Sequence, residues 1–279
     1  MKQKRIALIN DITGFGRCSV AIELPIISAL KIQCCPLPTA ILSVHTGFEN
    51  YFFDDYTDKM QNYIDSWKKN DLKFDAIATG FLGSEDQIKI VNKFIEENLE
   101  SQIMIDPVMG DHGKIYASYN KSMCVKMKEL LIYADLVTPN LTEACELLGI
   151  SYPFEGIISD SKLATMAANI AAQTRGHKVV ITGLTIDADD ENNISNFVFD
   201  NGKINLVTTR KIGIDRSGTG DAFFAVLVGE ILNGKNLIDA TRLSANFVTR
   251  CIAHAEKLNL AWNYGLPFEE FLSELSNKS

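Results

Sequence analysis

The stretch DRSGTGDAFFAVLVGEILNG, residues 215–234, sets a glycine turn against a helix pattern that is apolar at almost every position. A helix without a polar face has to be covered on all sides, so this one belongs to a core. The turn before it is small and flexible, Gly218-Thr219-Gly220, and it ends in Asp221. Backbone N–H groups at a helix start have no intrahelical partner and attract anions. A carboxylate at such a junction calls for a chemical reason.

Outward from that core helix the chain alternates strand and helix. Short apolar strands read at residues 5–10, 33–38, 75–79, 102–106, 135–138 and 178–182. Helical patterns fall between them, at 19–30, 56–69, 84–98, 122–133, 141–148 and 161–175. Two further strands, SNFVFD and KINLVTT, flank Asn201-Gly202, a two-residue hairpin signal. The last part is helical, at 221–232, 237–258 and 268–276, with Gly234 as a C-terminal cap. This order predicts an α/β fold of three layers, αβα, with a mostly parallel central sheet and helices on both faces. Without a Pro/Ser-rich linker or a repeat, residues 1–279 read as a single domain. The polar segment 187–195 reads as a solvated excursion, since it lacks the glycine of a calcium loop.

The 279 residues carry a formal charge of −8, with 46 % apolar and 22 % charged residues. That balance excludes disorder and argues against a nucleic-acid or membrane surface as partner. A small-molecule ligand is the alternative, and any anion has to be held by local donors. The six cysteines show no CxxC pair, and no apolar run reaches the length of an export signal or a membrane span. The expectation is a cytoplasmic protein with reduced thiols. Four histidines without ligand spacing to the cysteines leave no structural zinc site.

In open α/β sheets ligands bind beyond the carboxyl ends of the strands. Here those ends are polar or small: Asn10-Asp11, then Thr39 and His45, Thr79-Gly80, Asp106, Thr138 and Thr182-Gly183. Turn formation alone explains any one of them. It does not explain Asp106, Asp111 and Glu143 together, a carboxylate set suited to Mg²⁺ beside phosphate. Within TPNLTEA, Thr142 is a candidate helix N-cap, with Glu143 in the first turn complementing the helix dipole. In GTGD the glycines admit close backbone approach to a phosphate. The pattern is neither GxxxxGK[ST] nor GxGxxG, so neither a Walker loop nor a dinucleotide fold is indicated. An anion cradle with an attached carboxylate suits phosphoryl transfer, the carboxylate accepting the acceptor's proton.

Taken in order, INDITGFGRCSVAIELPIISAL, LPTAILSVHTG, FDAIATGFLGS, DPVMGDHGKIY, TPNLTEA and GTGDAFFA resemble the pyridoxal (pyridoxine, pyridoxamine) kinase group of the ribokinase-like superfamily across essentially the whole chain. The resemblance implies ATP-dependent phosphorylation of the 5′-hydroxymethyl group of a B6 vitamer. It implies Asp221 as general base and the backbone of Gly218, Thr219 and Gly220 as anion hole. Asp106 and Glu143 match the Mg²⁺–phosphate acids, with Asp111 and Thr138 as further candidates. Asn140, Thr182, Gly183 and Ser217 match nucleotide positions, and Thr138 and Thr182 also match positions tied to a monovalent cation such as K⁺. Asp11, Thr39, His45 and Gly80 match the acceptor pocket, and a homodimer is implied. Asp11 stands where related kinases often carry serine. An ionised aspartate only accepts hydrogen bonds, which tilts the expected acceptor toward pyridoxamine or a pyridinium form.

Hydroxymethylpyrimidine kinases share the fold but typically carry GTGC where this chain has residues 218–221, and they are the first alternative. Sugar kinases of the superfamily usually carry an extended lid near the N-terminus, for which Asp11 to Thr39 leaves little room. A non-catalytic homologue would have lost the base, the glycines or the acids, all of which are present. Arg17 and Lys114 are the nearest cationic candidates for phosphate. His112, in a glycine-flanked loop, is either a lid residue or solvated. Cys18 reads as a packed cysteine rather than a thiol activated by Arg17.

Overall fold

The computed structural model describes residues 3–153, 156–186 and 192–276. The chain forms two compact units, one of Met1–Phe81 with Ile212–Ser279 and one of Leu82–Lys211.

The first unit opens with β1 (Arg5–Phe15), α1 (Val20–Ala29) and β2 (Gln33–Val44), followed by β3 (Phe53–Asp55), α2 (Thr57–Lys69) and β4 (Ala76–Thr79). β1 lies parallel to both β2 and β4, and β3 adds antiparallel beside β2. Ile6, Ala7, Leu8 and Ile9 are all fully buried, so both faces of β1 are covered, as parallel strands require. β1 continues to Phe15 instead of stopping at Asn10. Its register on β2 shifts there: Asn10 stands opposite Pro38, whereas Ile12 stands opposite Ile41. The extra residue is on β2, where Thr39 and Ala40 bulge opposite the single residue Asp11, a device that re-aims side chains next to functional sites.

The second unit runs α3 (Glu85–Glu96), β5 (Gln102–Ile105), a small hairpin of β6 (Gly110–Asp111) and β7 (Lys114–Ile115), and α4 (Lys121–Leu131). Then come β8 (Leu136–Val137), α5 (Leu141–Leu148), α6 (Asp160–Ala171), β9 (Lys178–Leu184), β10 (Asn193–Asp200) and β11 (Lys203–Arg210). β5, β8 and β9 are parallel, and β10 and β11 close the series antiparallel. Asn201 (φ 50°) and Gly202 (φ 85°) turn the β10–β11 hairpin with the two left-handed residues that such a turn requires. Side-chain caps from Ser84, Asn120 and Asn140 start α3, α4 and α5. Residues 187–191 of the expected excursion lie outside the described residues, and Asn193, Ile194 and Ser195 belong to β10.

The chain then returns to the first unit with α7 (Thr219–Leu232), α8 (Leu237–Lys257) and α9 (Leu272–Ser276). α7 packs on α1 and α8, and every residue from Ala222 to Glu230 is buried. Gly234 (φ 95°) follows α7 and ends it, its N–H bonded to the Ile231 carbonyl. No helix among the described residues is long and apolar enough to cross a membrane.

The sequence reading and the structure therefore share one α/β plan of mostly parallel strands. They differ at β3 and the β6–β7 hairpin, which are too short to carry a period-two signal. The core makes a direct prediction. Phe224 is 1 % exposed on α7, so Phe224→Ala should lower the unfolding free energy by about 3–5 kcal/mol in urea titration. A loss under about 1 kcal/mol would contradict a packed α7.

Candidate active site

In the first unit two turns lie against each other. Residues 16–19 bend through Gly16 (φ 124°), Arg17 (φ 50°) and Ser19 (φ 53°), while Gly218 (φ 79°) caps α7. A β-carbon on Gly218 would stand 2.0 Å from the Arg17 carbonyl oxygen, so only glycine fits. α7 begins at Thr219, two residues earlier than the sequence indicates, and Thr219 Oγ1 donates to the Arg216 carbonyl (2.8 Å). A β-carbon on Gly220 would meet nothing within 4 Å, and Gly220 is exposed. The first N–H groups of α7 therefore flank open space. Of the two glycines, Gly218 serves the contact between turns and Gly220 the open approach.

Asp221 stands in this first turn of α7. Its Oδ2 accepts the Ser19 N–H at 2.9 Å. Burial, and secondarily the Asp11 charge, raise its pKa to about 6 against the pull of the Ser19 N–H and the Asn10 side chain. Ser19 is therefore bonded on both sides, since its Oγ donates to Asp11 Oδ1 at 2.6 Å. Its backbone (φ 53°, ψ −140°) lies in a region that costs a non-glycine residue about 1–3 kcal/mol.

Asp11 is 6 % exposed, and both its oxygens are engaged, the second by Thr13 Oγ1 at 2.7 Å. Burial is the main cause that raises its pKa. Asn10, beneath it, donates from Nδ2 to the buried Glu23 (2.8 Å) and accepts the N–H groups of Asp11 and Phe81 at 2.9 Å each. Gly80 makes room for that side chain: a β-carbon there would lie 2.4 Å from Asn10 Nδ2. Thr39 is wholly buried in β2. His45 accepts the Gly47 N–H at Nδ1 (3.1 Å), which assigns the proton to Nε2, and that nitrogen donates to the Asn263 carbonyl (2.8 Å). Around it Phe15, Phe48, Trp262 and Tyr264 form edge-on and tilted ring contacts. Ser217 donates its N–H to the Trp262 carbonyl (3.3 Å).

The second unit gathers the acids. Asn140, not Thr142, caps α5: its Oδ1 accepts the Glu143 N–H (2.9 Å), and Glu143 Oε2 accepts the Asn140 N–H (2.8 Å), a reciprocal capping box. Thr142 is turned elsewhere, its Oγ1 accepting the Gly113 N–H (2.8 Å) and holding the β6–β7 hairpin. Asn140 Nδ2 donates to the Gly110 carbonyl of the same hairpin (2.8 Å). Glu143 is 4 % exposed, and its Oε1 accepts the Met109 N–H (3.1 Å). Burial first, then Asp106 and, less strongly, Asp111, push its carboxyl well up. Asp111 is exposed and receives the His112 N–H (2.7 Å). Thr138 is buried, its Oγ1 3.5 Å from the Ile105 carbonyl, and Thr182 forms a parallel bridge with Asn140. Gly183 (φ 68°) is exposed within β9.

Two clusters follow from this geometry: a carboxylate at an open helix start in the first unit, and a buried acid with carboxylate neighbours in the second. Residues 22–265 match the phosphomethylpyrimidine kinase family. The chain belongs to that family. Its fold is shared by a Bacteroides thetaiotaomicron protein, provisionally named a phosphomethylpyrimidine kinase and crystallised with pyridoxal. The two are 34 % identical, with a TM-score of 0.92 over 98 % of this chain and 96 % of the other. A hydroxymethylpyrimidine/phosphomethylpyrimidine kinase of Haemophilus influenzae is 25 % identical over 71 % of each chain. A pyridoxal kinase of Actinobacillus pleuropneumoniae is 29 % identical over 63 % of this chain and 62 % of its own length. Relatives of both specificities thus surround this kinase.

Within this family member the sequence reading overlooked Ser19, Thr13 and Glu23. Only Glu23 left a signal, the one charged residue inside the mostly apolar VAIELPIISA of α1. Ser19 acts through its backbone N–H, which no residue pattern announces. Arg17 does not activate Cys18. Its guanidinium is bonded to Glu269 (2.7 Å) and to the Tyr264 carbonyl (3.1 Å). Burial, with Asp221 and Asp11 adding, pushes the Cys18 thiol up to about 12. Cys18 should accordingly stay unmodified by iodoacetamide at pH 7.5 in the folded protein and become alkylated in denaturant, as peptide mass spectrometry would read.

Proposed function

We propose that this kinase transfers the γ-phosphoryl group of ATP to the 5′-hydroxymethyl group of a vitamin B6 vitamer, pyridoxal, pyridoxamine or pyridoxine. The observation that carries the proposal is Asp221: a carboxylate at the open start of α7, held by the Ser19 N–H, with a pKa raised to about 6. A hydroxymethylpyrimidine kinase typically has cysteine in its place. The relative that is 34 % identical and holds pyridoxal supports the same reading.

Asp221 accepts the proton of the acceptor hydroxyl as its oxygen bonds to the γ-phosphorus. The bond from that phosphorus to the bridging oxygen breaks, and ADP leaves with the electron pair. The N–H groups of Gly218, Thr219 and Gly220 offer donors to the charge on the moving group. In the second unit Asp106 and Glu143, with Asp111 near them, would hold Mg²⁺. The donor set fits a hard cation, since burial and the neighbouring Asp106 and Asp111 push the Glu143 carboxyl up, and positive charge there would relieve it. Among the described residues no three His, Cys, Asp or Glu side chains form a metal cage by themselves. Mg²⁺ usually keeps waters and phosphate oxygens among its ligands. The ion supplies neutralisation of phosphate charge. Asn140, Thr182, Gly183 and Ser217 would line the nucleotide, and a monovalent cation would sit near Thr138 and Thr182. We extend the proposal to a cytoplasmic homodimer in B6 salvage, and the six free cysteines suit a reducing compartment.

ADP release measured with Mg·ATP across pyridoxal, pyridoxamine, pyridoxine, hydroxymethylpyrimidine and ribose tests the substrate. The expected result is kcat/KM highest for one of the three vitamers. A higher value for hydroxymethylpyrimidine would move the assignment to that acceptor. Asp221→Asn should fold and bind nucleotide, with turnover reduced about 10²–10⁴-fold. Because the base acts ionised, kcat/KM for the acceptor should fall as pH drops through about 6. A profile flat to pH 5 would remove Asp221 from that role.

A further inference from the structure

Asp11 lies too deep, and is too fully bonded, to act chiefly on an acceptor. It is 6 % exposed, and its two oxygens receive the hydroxyls of Ser19 (2.6 Å) and Thr13 (2.7 Å). Ser19 is the more unusual partner. Its φ of 53° and ψ of −140° fall where glycine is at home and other residues are rare. In that conformation its N–H points to Asp221 Oδ2 (2.9 Å) while its hydroxyl points to Asp11 (2.6 Å). A strained backbone persists where surrounding contacts over-determine it. The Ser19 carbonyl accepts the Ile22 and Glu23 N–H groups at the start of α1 (3.1 and 3.0 Å), and contacts on both flanks add to that hold. Gly218 is pressed against the Arg17 carbonyl on one side, and the Asp11 carboxylate holds the Ser19 hydroxyl on the other. The β2 bulge that shifts the β1–β2 register, at Thr39 and Ala40, stands opposite Asp11.

We infer that Asp11 is a positioning residue of the phosphoryl transfer: it holds Ser19 in the left-handed conformation that aims the Ser19 N–H at Asp221 and so orients the base. The inference rests on Asp221 being that base. It makes Asp11 act through Ser19 rather than on the vitamer, and it gives the serine hydroxyl a function separate from its backbone.

A rescue experiment tests this linkage. Asp11→Ala and Ser19→Ala each remove the side-chain tether while leaving the strained backbone to a residue that avoids it. Each should lower kcat about 10- to 100-fold, the scale of a misaligned catalytic group. KM for the acceptor and for Mg·ATP should stay within about 3-fold, since binding contacts are untouched. The double variant Asp11→Ala/Ser19→Ala should be no worse than either single change, because both break one linkage. Glycine enters that conformation without help. Ser19→Gly should therefore cost less than Ser19→Ala, and Asp11→Ala/Ser19→Gly should recover at least about 5-fold in kcat over Asp11→Ala.

Thermal unfolding of all variants accompanies the kinetics, and Ser19→Ala carries the test should Asp11→Ala unfold. A raised acceptor KM with unchanged kcat in Asp11→Ala would make Asp11 a substrate contact and overturn the inference. Additive losses, or no recovery with glycine at position 19, would overturn it equally. Asp221→Asn runs alongside: undiminished turnover in that variant would instead remove the reading of the base on which the inference stands.

Discussion

The hydrogen bond from the Ser19 N–H to Asp221 ties together two turns that lie at opposite ends of the first unit's sequence. The turn of residues 16–19 follows β1 and leads into α1, while the turn before α7 opens the C-terminal part. Neither is stable as an isolated turn: Arg17 and Ser19 occupy left-handed conformations, and Gly218 has its backbone against a carbonyl oxygen. Each supplies the constraint that the other needs. The apolar α7 then anchors the pair, because its buried face on α1 and α8 admits no sliding without opening the core.

That arrangement also explains the electrostatics. Two carboxylates, Asp11 and Asp221, share the donors of one serine, with Asn10 and Glu23 beside them and Arg17 bonded elsewhere. Burial raises both pKa values. A carboxylate on the α7 dipole would ordinarily be more acidic. Desolvation wins here, and it leaves Asp221 with the basicity of a proton acceptor near neutral pH. In the second unit the same physics has another outcome. Glu143 spends both oxygens on backbone N–H groups, so it closes the start of α5 and the approach of Met109 while remaining part of a carboxylate cluster. Its helix-capping role and a role toward a cation are compatible, since each carboxylate oxygen has more than one lone pair.

The fold was legible because its signals are periodic and repeated. Apolar strand runs, amphipathic helices and the Asn201-Gly202 turn all appear where pattern and turn chemistry indicate. The residues of the glycine turn and the acids were legible as residue types in order. What escaped were features without a side-chain pattern. β3 and the β6–β7 hairpin are too short, and Thr142 lost the cap to Asn140 because its hydroxyl is drawn to the Gly113 N–H. Asp11 carried no sign that its partners would be Ser19 and Thr13.

The sequence by itself thus determined the α/β class, the family, and which residue types stand at the strand ends and at the start of α7. These follow from local propensity, periodicity and motif order, all of which a linear chain displays. Only the tertiary structure decided that Asp11 faces inward, that Gly218 serves a contact between turns, and that the Ser19 backbone meets Asp221. Those outcomes depend on atoms brought together across some two hundred residues and on a backbone conformation forced by its surroundings. No local rule encodes either.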